Sequence, residues 1–182
     1  MAWNPDMQLI GCTSKLQKEM GLRPKDLATF EPEASALGPW TANLIFINRR
    51  KCVLFVNNKT LFNFLVPDVP RKMIRELDSM FRNWFSCVLG DEGFKKDQIN
   101  KILEEYREIG YSKTKSRSVL GSMNELAFGY KYELHSRSLH SLELPEIIKR
   151  MNRTLMGAAD GYRYPVEALF DIYHPLLLGE SE

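Results

Sequence analysis

Lys113, Lys115 and Arg117 alternate with Ser112, Thr114, Ser116 and Ser118, and the run continues into Gly121-Ser122-Met123-Asn124. An apolar helical period begins at Val119, so these cations and hydroxyls stand at a helix start. Unpaired amide N–H groups and the positive end of the helix dipole favour an anion there. The chemistry this supports is a phosphate or carboxylate cradle, with Lys113, Lys115, Arg117, Ser118, Ser122 and Asn124 as candidate ligand-binding residues. A plainer assignment competes with it. Ser116 or Ser118 caps a helix starting at Val119, or Ser122 with Glu125 forms a capping box for one starting at Met123, and the cations are solvated. The spacing is not that of a nucleotide P-loop. A second basic cluster, Arg49-Arg50-Lys51, falls at a hairpin tip, and Arg49 and Arg50 join the candidate set if the fold brings them beside Lys113 to Arg117. Solvated charge on a tight turn is the ordinary alternative.

Other chemistries find little support. His135 and His140 are five apart and share no helical face, His174 precedes a proline, and neither Cys-x-x-Cys nor His-Glu-x-x-His occurs. No metal and no cofactor is therefore expected. Gly121-Ser122-Met123 does not match a nucleophile elbow, and Glu104, Glu105 and Glu108 belong to the polar side of an amphipathic helix. The catalytic residues stay unknown. Asn152 to Pro165, with glycines at 157 and 161 and tyrosines at 162 and 164, reads either as a pocket wall or as an ordinary loop.

The elements that must position these residues follow from periodicity. Met7 to Cys12 reads as a strand, Thr13 to Gly21 as a helix that Thr13 or Ser14 caps and Gly21 ends, and Leu22 to Pro39 as an irregular connection. Asn43 to Ile47 and Cys52 to Val56 form a hairpin, and Thr60 to Val66 adds a third strand after the Asn57-Asn58-Lys59 turn. The middle strand is apolar on both faces, so the sheet should be covered on both sides. A helix is predicted from Pro70 to Gly90, and a second between Asp97 and Gly110 packs antiparallel to it. Tyr111 to Lys115 is a short strand or a loop. Val119 to Leu134 and Leu144 to Leu155 mark two further helices, and Val166 to Tyr173 a last one that Pro165 opens and His174-Pro175 closes. The prediction is one α+β domain over residues 1–182 with a core at about 7–175. In it an antiparallel sheet of three to five strands, with its meander at 43–66, packs against about five to six helices.

Composition bounds the rest. The chain has 182 residues, 44% hydrophobic, with 25 Lys+Arg against 23 Asp+Glu. That is enough to bury a core and too balanced for a global nucleic-acid or membrane field, so functional charge must be local. The 3 cysteines, Cys12, Cys52 and Cys87, lie far apart in apolar runs and are expected to be buried thiols in a reducing cytoplasm. Leu9-Ile10-Gly11-Cys12 resembles a lipoprotein cleavage box, but no basic start or apolar stretch precedes it. No apolar run reaches the roughly 18 to 20 residues of a membrane span.

Four stretches, MQLIGCTSKL (7–16), WTANLIFINRRKCVLFVNNKT (40–60), KTKSRSVLGSMNEL (113–126) and NRTLMGAADGYRYPVEAL (152–169), together resemble a family of bacterial domains of unknown function. The resemblance covers nearly the whole chain, leaving out Met1 to Asp6 and Leu176 to Glu182, which look dispensable. It implies an α+β domain in prokaryotes and supplies no activity, ligand or catalytic residue. The function expected from the residues is a non-catalytic binding domain for an anionic ligand: nucleic acid, a nucleotide or an acidic protein surface. The alternatives are an enzyme acting on a phosphorylated or carboxylated small molecule, and a protein-interaction component of toxin–antitoxin or defence type. A protein partner or a homo-oligomer stays open, and no membrane association is expected.

Overall fold

Hydrophobic side chains from Ile10 to Tyr173 share one continuous buried core. The computed structural model describes residues 7–29, 35–139, 142–158 and 161–178. Strand β1 (Gln8–Cys12) is buried along its whole length. It leads into α1 (Ser14–Met20), which Gly21 ends in the left-handed region at φ 77°, a conformation that costs glycine nothing. A short 3-10 turn at Pro24–Asp26 follows. Within the connection read as irregular, residues 30–34 lie outside the described residues.

Strands β2 (Trp40–Ile47) and β3 (Arg50–Asn57) form the expected hairpin. Its turn is Asn48-Arg49, with both residues at positive φ (48° and 65°) and Ile47 opposite Arg50. This is the two-residue turn whose twist suits paired strands. Strand β4 (Asn63–Val66) completes the meander. The five-stranded sheet runs β4-β3-β2-β1-β5, with β5 at Ile109–Lys113. The α+β class is as expected, but the sheet is mixed where an antiparallel one was predicted, because β1 pairs parallel with both β2 and β5. No tight turn joins β1 to either neighbour. Each is reached by a long connection, which permits the same strand direction.

Both faces of the sheet are covered. Trp40, Phe55 and Phe64 share one face and form, with Phe81, Phe85 and Tyr106, one cluster of edge-on, tilted and stacked ring contacts at 5.0–6.1 Å. Those partners lie on α3 (Leu77–Asp91) and just beyond α4 (Lys96–Glu104). The opposite face lies beneath α5 (Arg117–Leu134) and α6 (Leu144–Asn152). A buried amide cluster ties these layers together. The Asn152 side chain accepts from the Asn63 backbone N–H (2.8 Å) and donates to the Asn63 carbonyl (2.7 Å), standing in for a neighbouring strand at the β4 edge. The Tyr130 hydroxyl donates to Asn63 Oδ1 (2.8 Å).

Several boundaries differ from the sequence reading. The helix predicted from Pro70 to Gly90 is two, α2 (Arg71–Ile74) and α3, broken at Arg75-Glu76. Ile74 and Leu77 are both buried and three apart, so the apolar period runs unchanged through the break. Met156–Ala158 and Gly161–Arg163 pair as β6 and β7, where a loop or pocket wall was read. The last helix, α7 (Pro165–Leu178), continues through Pro175 instead of closing there. A proline that late removes one N–H bond to the carbonyl four residues back, and one missing bond does not end a helix whose other turns are packed.

Cys12 and Cys52 are buried free thiols as expected, but Cys87 is exposed. It falls off the α3 stripe formed by Leu77, Met80, Phe81, Phe85 and Val88. Burial pushes the Cys12 thiol up to about 12 and also raises Cys52, and the thiolate is the reactive form. A thiol-specific chromogenic reagent should therefore modify Cys87 rapidly in the native protein and Cys12 and Cys52 only after denaturation. Rapid modification of Cys12 under native conditions would contradict this packing.

Candidate functional site

Strand β5 ends at Lys113 directly beside Cys12, the last residue of β1. Two parallel strands thus finish together, and the loop after each enters a helix. Such carboxyl ends of parallel strands are where open sheets leave room for ligands. The Val119 N–H donates to Ser116 Oγ (3.2 Å), so Ser116 is the cap and α5 begins at Arg117. Lys113, Lys115, Arg117 and Ser118 are all exposed around that start. Ser122 is not among them. It is buried, and its hydroxyl donates to the Gly157 carbonyl (3.4 Å), tying α5 to β6.

The two basic clusters do not converge. The Asn48 amide donates to the Leu134 carbonyl (3.0 Å), which places the hairpin tip with Arg49 against the C-terminal end of α5. Lys113 to Arg117 stand at its N-terminal end, and eighteen helical residues separate the two ends by about 27 Å. Arg50 is engaged by Asp68 (3.2 Å). Lys51 points to the other face of the sheet and pairs with Glu19 on α1.

The Lys51 hydrogen bond, helped by Arg71 and Arg75, holds the Glu19 carboxyl below its ordinary value despite partial desolvation. A carboxyl lowered on folding adds stability above its unfolded pKa and loses it as pH falls through the folded one. Glu19→Gln should therefore lower stability at neutral pH, with the deficit shrinking as pH falls through and below the usual carboxylate range. Urea unfolding of both forms across that range checks it, and a deficit independent of pH would refute the linkage.

Between the two ends of α5 the structure opens a groove of about 440 Å³. It exists because β1 stops opposite Ala42 while β2 runs on to Ile47. Thr13 N–H donates to the Ala42 carbonyl (3.1 Å), so the Ala42 backbone faces β1. By strand alternation the Leu44 and Phe46 backbone groups face the same side, where among the described residues no strand pairs with them. Lys15 of α1 forms one wall, and Asn124, Ala127, Phe128 and Lys131 of α5 form the other. The floor is Asn43 to Phe46. Thr13 Oγ1 donates to Asn43 Oδ1 (2.9 Å), and Lys15 Nζ lies 4.5 Å above the centre of the Phe46 ring.

Of the residues singled out from sequence, Asn124 alone lines this groove; Lys113, Arg117 and Ser118 flank its approach along α5, and Arg49 lies at the far end. Lys15, Asn43, Phe46, Phe128 and Lys131 were missed. The buried stripe of α5 is Val119, Met123, Leu126, Ala127, Tyr130 and Leu134. Phe128 and Tyr132 fall out of phase with it and are 73% and 77% exposed. Large aromatics off the apolar phase of an amphipathic helix were the available signal.

Among the described residues no group of three or more His, Cys, Asp or Glu is placed to hold a metal ion. Likewise no helix is long and apolar enough to cross a membrane; His140 lies outside the described residues. No curated protein and no solved structure gives a significant match to this chain. A family model described as a domain of unknown function matches residues 9–168, from the second residue of β1 into α7 and across every wall of the groove. The chain therefore belongs to that family, DUF6933.

Proposed function

We propose that this protein is a binding domain for an anionic ligand, held in the groove between Lys15 and Lys131. The observation that carries this reading is the lining itself. Lys15 on one wall and Lys131 on the other flank a groove that also carries the amides of Asn43 in its floor and Asn124 in its wall, and no carboxylate, imidazole or thiol lines it. Ammonium groups and amide N–H donors match an oxyanion ligand, and charge-assisted hydrogen bonds are the stronger kind. The unpaired backbone edge at Leu44 and Phe46 adds fixed donors and acceptors. The lining holds no carboxylate, imidazole or thiol placed to act as a general base. This favours binding over catalysis. Lys113 and Arg117 add exposed cations at the start of α5.

Calorimetric titration with inorganic polyphosphate at low salt tests the reading. Wild-type protein should bind, added salt should weaken the complex, and Lys15→Gln/Lys131→Gln should lose it. Equal binding by the double variant would place the anion elsewhere.

A further inference from the structure

Resting on that reading, we propose that the anionic ligand is single-stranded nucleic acid, laid along the solvent face of α5 with bases against Phe128 and Tyr132. Its phosphates would meet Lys15, Lys131 and Arg117. The exposed side of α5 runs from Arg117 and Ser118 through Gly121, Asn124 and Glu125 to Phe128, Lys131 and Tyr132, and Glu125 is the exposed carboxylate on it. Arg117 and Lys131 form no ion pair among the described residues. Phe128 and Tyr132 are the two most exposed aromatics on this face, one helical turn apart. Lys131 sits between them in sequence, and Lys15 caps the neighbouring Phe46 ring. Aromatic platforms interleaved with cations are how proteins hold single strands, because every base offers a ring face.

The spacing selects single strands over duplex. Residues four apart on a helix are displaced by about 6 Å along its axis, whereas bases stacked within a duplex strand are about 3.4 Å apart. Bases seated on both rings must be unstacked from one another, which a duplex does not allow. The chemistry also disfavours an acidic peptide. The unpaired β2 edge spans only Leu44 to Phe46 and is too short for strand addition. The groove is open, with Lys15, Asn43, Asn124 and Lys131 interspersed among its apolar side chains, and offers no closed apolar pocket for an anchoring side chain. Asn43 and Asn124, by contrast, carry amides that can pair with base edges.

Fluorescence anisotropy with a labelled oligouridylate, the matching duplex and a poly-glutamate peptide decides the matter. The single strand should bind at least about tenfold tighter than the duplex, and Phe128→Ala and Tyr132→Ala should each weaken it by about tenfold at unchanged salt slope. Tyr132→Phe should bind as wild type does, since it keeps the ring. Lys131→Gln should reduce the slope of log K against log salt by about 0.7. Duplex bound as tightly as the single strand, full binding by both alanine variants, or poly-glutamate bound as well as the oligonucleotide would each overturn the proposal. If polyphosphate still requires Lys15 and Lys131 in that case, the groove remains an anion site and only the nucleic-acid assignment falls. If polyphosphate also ignores those lysines, both fail.

Discussion

Asn152→Leu is expected to destabilise the protein by about 3 to 5 kcal/mol, because each buried polar group left without its partner costs about 1 to 3 kcal/mol. The substitution removes the acceptor for the Asn63 N–H and the donor to the Asn63 carbonyl. It also removes the donor to the Ile148 carbonyl (3.0 Å). All of these groups lie where water does not reach, since Asn63 and Asn152 are both fully buried. Leucine has the size to fill the space and none of the chemistry. Tyr130→Phe deletes only the donor to Asn63 Oδ1 and should cost about 1 to 2 kcal/mol. Urea unfolding measures both. A loss below about 1 kcal/mol for Asn152→Leu would mean that the β4 edge finds another partner, and the role assigned to this amide would be wrong.

Lys15→Gln/Lys131→Gln is expected to weaken polyphosphate binding on the order of a hundredfold. A charge-assisted hydrogen bond is worth roughly 1.5 to 3 kcal/mol, and each 1.4 kcal/mol is a factor of about ten in affinity. The lower end of that range applies, because both side chains are exposed and partly screened. Stability should fall by less than about 1 kcal/mol, the worth of an exposed cation–π contact such as that between Lys15 and Phe46. The combination of a large binding loss with a small stability loss separates a ligand site from a structural one. Loss of folding together with binding would assign the two lysines to the scaffold.

The local elements were legible in the sequence because their signals are local. Phe46, Phe55 and Phe64 with their β-branched neighbours announce the meander, and Asn48 tolerates the positive φ that the turn requires. The parallel pairing of β1 with β5 was not legible, since it joins segments about a hundred residues apart and Ile109-Gly110-Tyr111-Ser112-Lys113 carries no apolar run. That pairing sets the cationic loop beside the end of β1. The shortness of β1 relative to β2 opens the groove, and no residue type in either strand reports it. The Lys113 to Arg117 loop does stand at a helix start, and of the caps the sequence left open, Ser116, Ser118 and Ser122, the structure uses Ser116. Ser122 faces inward because it shares a helical side with Val119 and Met123, whereas Asn124, two residues on, faces out. Arg49 and Arg50 could be joined to Lys113 only by knowing the path of α5, which carries its two ends apart. Phe128 and Tyr132 fall outside the apolar period of α5, so their exposure was legible from phase alone.

The most direct test is an amide chemical-shift map of the protein titrated with inorganic polyphosphate at low salt. The groove assignment requires the largest shifts at Lys15, at Asn43 to Phe46, and at Asn124 to Lys131, with smaller ones at Lys113 and Arg117. Shifts confined to the hairpin tip at Arg49-Arg50, or spread over surface lysines with no focus between α1 and α5, would contradict it.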